Sequence, residues 1–158
     1  LLSRRQRQMC IRDSVTPDMP YPEVQKRVRS AIEEHFKLEL GRPEILNRIG
    51  ENIVVFDYIR PEAARKILRS QVDRIFRDLS AERRIEITIS ERAYSVLLEH
   101  VLGNLENGGR GIGNIVGALL IDPLSRFLFD NGIFSDARLE ITEIDAQTAP
   151  ACLECRRS

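Results

Sequence analysis

The sequence predicts an α+β fold, with helices set around a few short strands. Apolar residues recur at helical spacing over long stretches, most clearly Ala64, Ile67, Leu68, Val72, Ile75, Phe76 and Leu79. By contrast IEITI, residues 85–89, and ARLEITEI, residues 137–144, alternate apolar and polar side chains as half-exposed strands do. No repeat with a period of roughly 20 to 50 residues and no low-complexity tract points to a solenoid.

At 158 residues the chain has room for one compact domain, or for a small domain plus part of another. Its 24 Lys and Arg balance 24 Asp and Glu, so no net field draws it to nucleic acid or to an anionic membrane. Hydrophobic residues make up 42% of the chain. No unbroken apolar run approaches the roughly 18 residues that span a bilayer, so the expectation is a protein of the aqueous phase with neither a membrane nor a nucleic acid as partner. The cysteines, Cys10, Cys152 and Cys155, lie near the two ends and leave the middle unstapled, which fits a reducing cytoplasm better than a disulfide framework.

Each element follows from local chemistry. Leu1 to Ser14 has no signal-peptide h-region, and its RQMCIRDS looks like the translation of a transposon-end sequencing adapter, the alternative being a disordered basic tail; on either reading residues 1–14 are set aside from the core. TPDMPYP, residues 16–22, reads as a linker because its prolines cannot continue a helix. From Glu23 a helical face of Val24, Val28, Ala31, Ile32 and Phe36 runs to Gly41. Pro43 suits the first position of a short helix carrying Ile45, Leu46 and Ile49, and the β-branched IVVF, residues 53–56, reads as a short buried strand.

After Pro61 come the long helix, the strand IEITI, and a helix capped by Ser90 that carries Ala93, Leu97, Leu98 and Val101 inward. A glycine-rich turn, ENGGRGIGN at residues 106–114, opens the next helical face of Ile112, Ile115, Val116, Leu119 and Leu120. Pro123 breaks or restarts that helix, a last helical turn holds Leu124, Phe127 and Leu128, and Asn131 and Gly132 close it ahead of the second alternating strand.

The candidate chemistry is sparse. The glycine stretch lacks the preceding strand and the final glycine of a dinucleotide fingerprint, and no lysine follows a glycine, so neither that cradle nor a Walker A loop is present. What remains is Arg110 at the mouth of a helix, either a solvated side chain on a flexible turn or a planar donor to an anion supplied from elsewhere. Arg48, beside Asn47, either points to solvent or acts as an arginine finger, a group worth roughly 10³ to 10⁵ in phosphoryl-transfer rate. His35 and His100 have no neighbouring ligand at metal spacing, and Cys152 and Cys155 supply two ligands where structural zinc wants four, so no metal site is expected. No Ser, His and Asp grouping suggests a nucleophilic triad.

With those residues in view, GRPEILNRIGENIVVF, residues 41–56, resembles the segment of Clp-type AAA+ chaperones in which a proline, an acid, an asparagine and an arginine precede a valine-rich strand. IDPLSRFLFDNGIF, residues 121–134, is similar to that family's acid-Asp-Pro-Leu helix, and GGRG, residues 108–111, falls where the family has Gly-Ala-Arg-Pro. The resemblance implies that Arg48 is an arginine finger acting in trans and that Arg110 is the sensor-2 residue contacting the phosphates of ATP, bound with Mg²⁺. It also implies a homo-oligomeric ring, typically a hexamer, which hydrolyses ATP to unfold protein substrates in the cytoplasm, with a protease partner left open. Gly50 replaces the family's acidic residue and Gly111 its proline.

On this reading residues 15–59 are the end of the large ATPase subdomain, comprising helix, finger segment and strand. Residues 60–145 are the small lid subdomain, ordered helix, strand, helix, helix, strand, and residues 146–158 are a tail. Walker A, Walker B and sensor 1 are expected upstream, so the chain alone is not expected to hydrolyse ATP. The alternatives are a stand-alone protein-interaction module without ATPase activity and a small nucleic-acid-binding domain, the latter disfavoured by zero net charge.

Overall fold

The computed structural model describes residues 15–157. The suspected adapter, residues 1–14, lies outside them. The chain divides into two compact units between Tyr58 and Ile59.

The first unit opens on α1, Tyr21–Glu34, followed by a wide π-type turn, His35–Glu39, and by α2, Pro43–Ile49. The prolines expected to form a linker reach into the helix, since Pro22 occupies the first turn of α1. It is tolerated there because the N–H that proline lacks would have no intrahelical acceptor. The unit buries Val15, Val24 and Val55, with Met19, Val28 and Ile53 packed against them.

One expectation fails here. Residues 53–56 are not a strand among the described residues. They run extended with Val55 buried and Val54 and Phe56 exposed, which is the alternation of a strand, but no described strand pairs with them. Side chains of α1 take the carbonyls instead. The Tyr21 hydroxyl donates to the Val55 oxygen at 2.9 Å, and the Arg29 guanidinium donates to the Ile53 oxygen at 2.8 Å. β-Branched composition favours an extended backbone, but a ladder needs a neighbour.

The second unit is mixed α and β. Its long helix α3, Pro61–Arg83, starts on Pro61 and stops where Arg84 turns left-handed, at φ 57° and ψ 34°. Strand β1, Ile85–Ile89, follows, then α4, Glu91–Leu102. Ser90 caps α4: its hydroxyl accepts from the Ala93 N–H at 3.2 Å and donates to the Thr142 carbonyl at 2.8 Å, tying helix start to sheet. A 3₁₀ turn, Leu105–Asn107, leads into α5, Gly108–Val116. Next come a π-type turn, Gly117–Ile121, α6, Asp122–Asp130, and β2, Ala137–Asp145.

Pro123 does not break the helix. The turn ahead of it widens so that the Asp122 N–H reaches the Gly117 carbonyl, and α6 then runs on to Asp130. Widening the turn is how a helix accommodates a ring with no N–H.

The expected tail also contains structure. Residues Cys152–Arg157 form β3, which pairs antiparallel with β2, Ile141 opposite Cys155 and Ile144 opposite Leu153. The sheet order is β1, β2, β3, with β1 and β2 parallel from Ile85 opposite Ala137 to Ile89 opposite Ile141. A parallel pair demands a crossover, and α4 to α6 supply it. In β3 the pattern CLECRR has only Leu153 and Cys155 as inward residues, too short an alternation to mark a strand from sequence.

Leu68 from α3, Leu97 and Val101 from α4, Ile112 and Val116 from α5, Leu120, and Ile85, Leu139 and Ile141 from the sheet make one continuous core. The stretch Leu105–Asp130 is long and apolar enough by composition to cross a membrane, with mean hydropathy 1.4 in its most apolar window, although no unbroken run in the sequence says so. Its residues Ile112, Val116, Leu120 and Leu124, four apart, are buried in this core.

Candidate functional site

Arg110 is the third residue of α5 and exposed. Two features of the backbone hold it there. Gly108, at the start of the helix, has φ 61° and ψ −154°, a region essentially closed to residues with a Cβ. Gly111, one residue past the arginine, is buried, and a Cβ built on it would stand 2.6 Å from the Asn107 Cβ. The turn before them is fixed by the Asn104 side chain, whose amide donates to the His100 carbonyl at 2.9 Å. The glycines therefore shape a tight entry rather than a phosphate cradle.

Among the α-helices of the described residues, the electrostatics of this entry stand apart. Helices α1, α2, α3, α4 and α6 each place an acidic residue in the first turn: Glu23, Glu44, Glu62, Glu91 and Asp122. Helix α5 has none and carries Arg110 there instead. A cation at the positive end of a helix is disfavoured by about 0.3 to 1 kcal/mol, so the fold gains nothing from this placement. Among the described residues Arg110 has no hydrogen-bond or ion-pair partner. Its guanidinium fork at the positive end of the helix favours an anion.

Arg48 belongs to the first unit. It lies in the last turn of α2, is exposed, and has no partner among the described residues. Here a cation meets the negative end of the helix, so its position is locally favourable. Gly50 closes α2 with φ 56° and ψ −132°, its N–H bonded to the Leu46 carbonyl. The acidic residue expected from the resemblance would be strained at that backbone, which is a physical reason for glycine.

The remaining candidates resolve into local packing. His35 Nδ1 lies 2.9 Å from the Glu39 carboxylate, and His100 Nδ1 lies 2.9 Å from the Val96 carbonyl. Cys152 and Cys155 sit three apart on β3, so their side chains leave opposite faces and their Cα atoms are about 10 Å apart, beyond disulfide reach. Burial pushes the Cys155 thiol up to about 11. Among the described residues no group of three or more His, Cys, Asp or Glu is placed to hold a metal ion. The sequence singles out both arginines as candidates but not the steric demand at Gly111; the 3₁₀ turn that creates it has no marked sequence signature.

Residues 59–141 match the family described as the C-terminal, D2-small domain, of ClpB protein. Chaperone protein ClpB 1 of Thermosynechococcus vestitus is 36% identical over 124 residues, covering 78% of this chain and 13% of its own length. Chaperone protein ClpB 1 of a Synechocystis strain is 26% identical over 133 residues, covering 82% of this chain and 14% of its own. Chaperone protein ClpB of Propionibacterium freudenreichii is 31% identical over 125 residues, covering 79% and 14%. The chain thus spans about one seventh of the length of these relatives. The family match begins at the first residue of the second unit, whose long helix, parallel strand pair and α4 to α6 crossover it includes. By this match the chain belongs to the family of the ClpB D2-small domain.

Proposed function

We propose that the chain is the C-terminal part of a Clp-like, ATP-dependent protein unfoldase that works as a ring, in the family's typical form a hexamer. The observation that carries the reading is Arg110, an unpartnered arginine placed against the helix dipole at a glycine-fixed entry. Such a placement makes sense where an anion arrives, and the phosphates of a nucleotide fit a planar donor at the positive end of a helix. ATP with Mg²⁺, held mainly by residues outside this chain, would supply the phosphoryl chemistry. Arg110 contributes charge and orientation at the phosphates. Arg48 projects toward the nucleotide of a neighbouring subunit, where its fixed charge offsets charge developing in transfer. Protein substrates, a cytoplasmic setting and an open question of a protease partner belong to the same reading; nucleic acid and membrane do not.

The test uses the full-length protein encoded by the reading frame that contains these residues. Arg48→Ala should keep nucleotide binding and lower turnover by roughly a thousandfold or more. Near-normal turnover would remove the finger assignment. A reading frame with no GxxxxGK loop would favour the stand-alone interaction module instead.

A further inference from the structure

We propose that Gly111 is a positioning residue for Arg110: the missing Cβ lets the Leu105–Asn107 turn close over the first turn of α5 and so fixes the direction in which the arginine leaves the helix. This rests on the reading of Arg110 as a phosphate contact. The crowding is specific. A Cβ at Gly111 would lie 2.6 Å from the Asn107 Cβ and 3.4 Å from the Asn104 carbonyl oxygen. The Asn107 Cβ is attached directly to the main chain, so relief requires the turn itself to move rather than a side chain to swing.

That turn has little freedom to move without consequence. The Asn104 N–H is bonded to the Val101 carbonyl and the Asn107 N–H to the Asn104 carbonyl, both at 3.2 Å. Gly108, directly after Asn107, holds a backbone open only to glycine and returns its N–H to the Leu105 carbonyl. Displacing Asn107 therefore shifts Gly108 and the first turn of α5, on which Arg110 sits. Residue 111 never touches the nucleotide in this scheme; it acts through the arginine beside it.

The experiment is a cycle in the full-length protein, read as ADP affinity by titration calorimetry and as thermal unfolding. Gly111→Ala should weaken ADP binding by about tenfold, within the range of coupling between neighbouring residues. The same substitution in an Arg110→Ala background should have no further effect. Asn107→Gly removes the opposing Cβ, and added to Gly111→Ala it should restore most of the affinity. If Arg110→Ala weakens binding but Gly111→Ala does not, or if the Gly111→Ala loss persists without the arginine, the positioning role is wrong and the phosphate contact stands. If Arg110→Ala leaves ADP affinity unchanged, the contact itself is wrong and the positioning role falls with it. Should Gly111→Ala fail to fold, Gly111→Ala with Asn107→Gly carries the same comparison; that pair, freed of the clash, must bind ADP in an Arg110-dependent way, and an Arg110-independent result overturns the proposal.

Discussion

The two units carry one candidate arginine each, but they are built to different standards. The second unit encloses side chains from every one of its helices and from all three strands around a continuous core. The first buries Val15, Val24 and Val55 and leaves Val54 at 75% and Phe56 at 87% exposure. In the first, carbonyls of the extended segment are held by Tyr21 and Arg29 rather than by a neighbouring strand. Arg110 therefore projects from a scaffold that is closed on itself, whereas Arg48 projects from one whose apolar surface is only partly covered. A family match that starts at Ile59 follows the same division.

The sharpest way to break this comparison is to remove buried volume from each unit. Leu97 is fully buried where α4 meets the sheet and α3, and Leu97→Ala should lower the unfolding free energy by about 3 kcal/mol. Val24→Ala removes less apolar volume from a smaller core, and about 1.5 kcal/mol is expected. Urea titrations followed by hydrogen exchange of α4 and α1 amides would read the two losses separately. Equal losses would mean that the first unit is packed as tightly as the second.

The sequence showed the second unit well because its signals are local. The helical period of α3, the Ser90 cap and the alternation of β1 and β2 each need only a few neighbouring residues. It was misleading where the outcome depends on distant partners. Residues 53–56 have strand composition, yet pairing is a property of two segments. Residues 152–157 have weak strand composition, yet β2 offers an edge and the Leu153 and Cys155 side chains find Ile144 and Ile141 opposite. The site shows the same division. Arg48 and Arg110 were visible as motifs, while the contact that forbids a Cβ at Gly111 arises only when the 3₁₀ turn folds back.

A second prediction sharpens where the closed unit ends, since β3 lies beyond the family match. A thiol held at about 11 by burial exposes roughly one thiolate in a thousand at pH 8. Cys155 should then react with a soluble maleimide about a hundredfold more slowly than an ordinary thiol, while the exposed Cys152 labels first. Peptide mapping by mass spectrometry distinguishes the two. Equal rates would show that β3 leaves the sheet readily and that the closed unit stops at β2.

The smallest effect tests whether surface charge contributes to that closure. Arg84 and Asp136, both with positive φ, face each other at the start of β1 and β2, their side chains 2.6 Å apart. The Ser135 hydroxyl, and after it the Arg84 guanidinium, hold the Asp136 carboxyl below its ordinary value of 3.8. A carboxyl with a depressed folded pKa stabilises the fold above its unfolded pKa, and that contribution is lost as pH falls through the lower folded value. The window is therefore below about pH 4. Both side chains are more than half exposed, so solvent screens the pair and the loss should be slight. Carboxyl NMR of the intact chain should find Asp136 titrating below its ordinary value, and Asp136→Asn should lower the neutral plateau of the pH–stability curve slightly, flattening the acid limb by the same small amount. A large drop at neutral pH would mean that this ion pair, and not the apolar contacts of Ile85, Leu139 and Ile141, sets the register between β1 and β2.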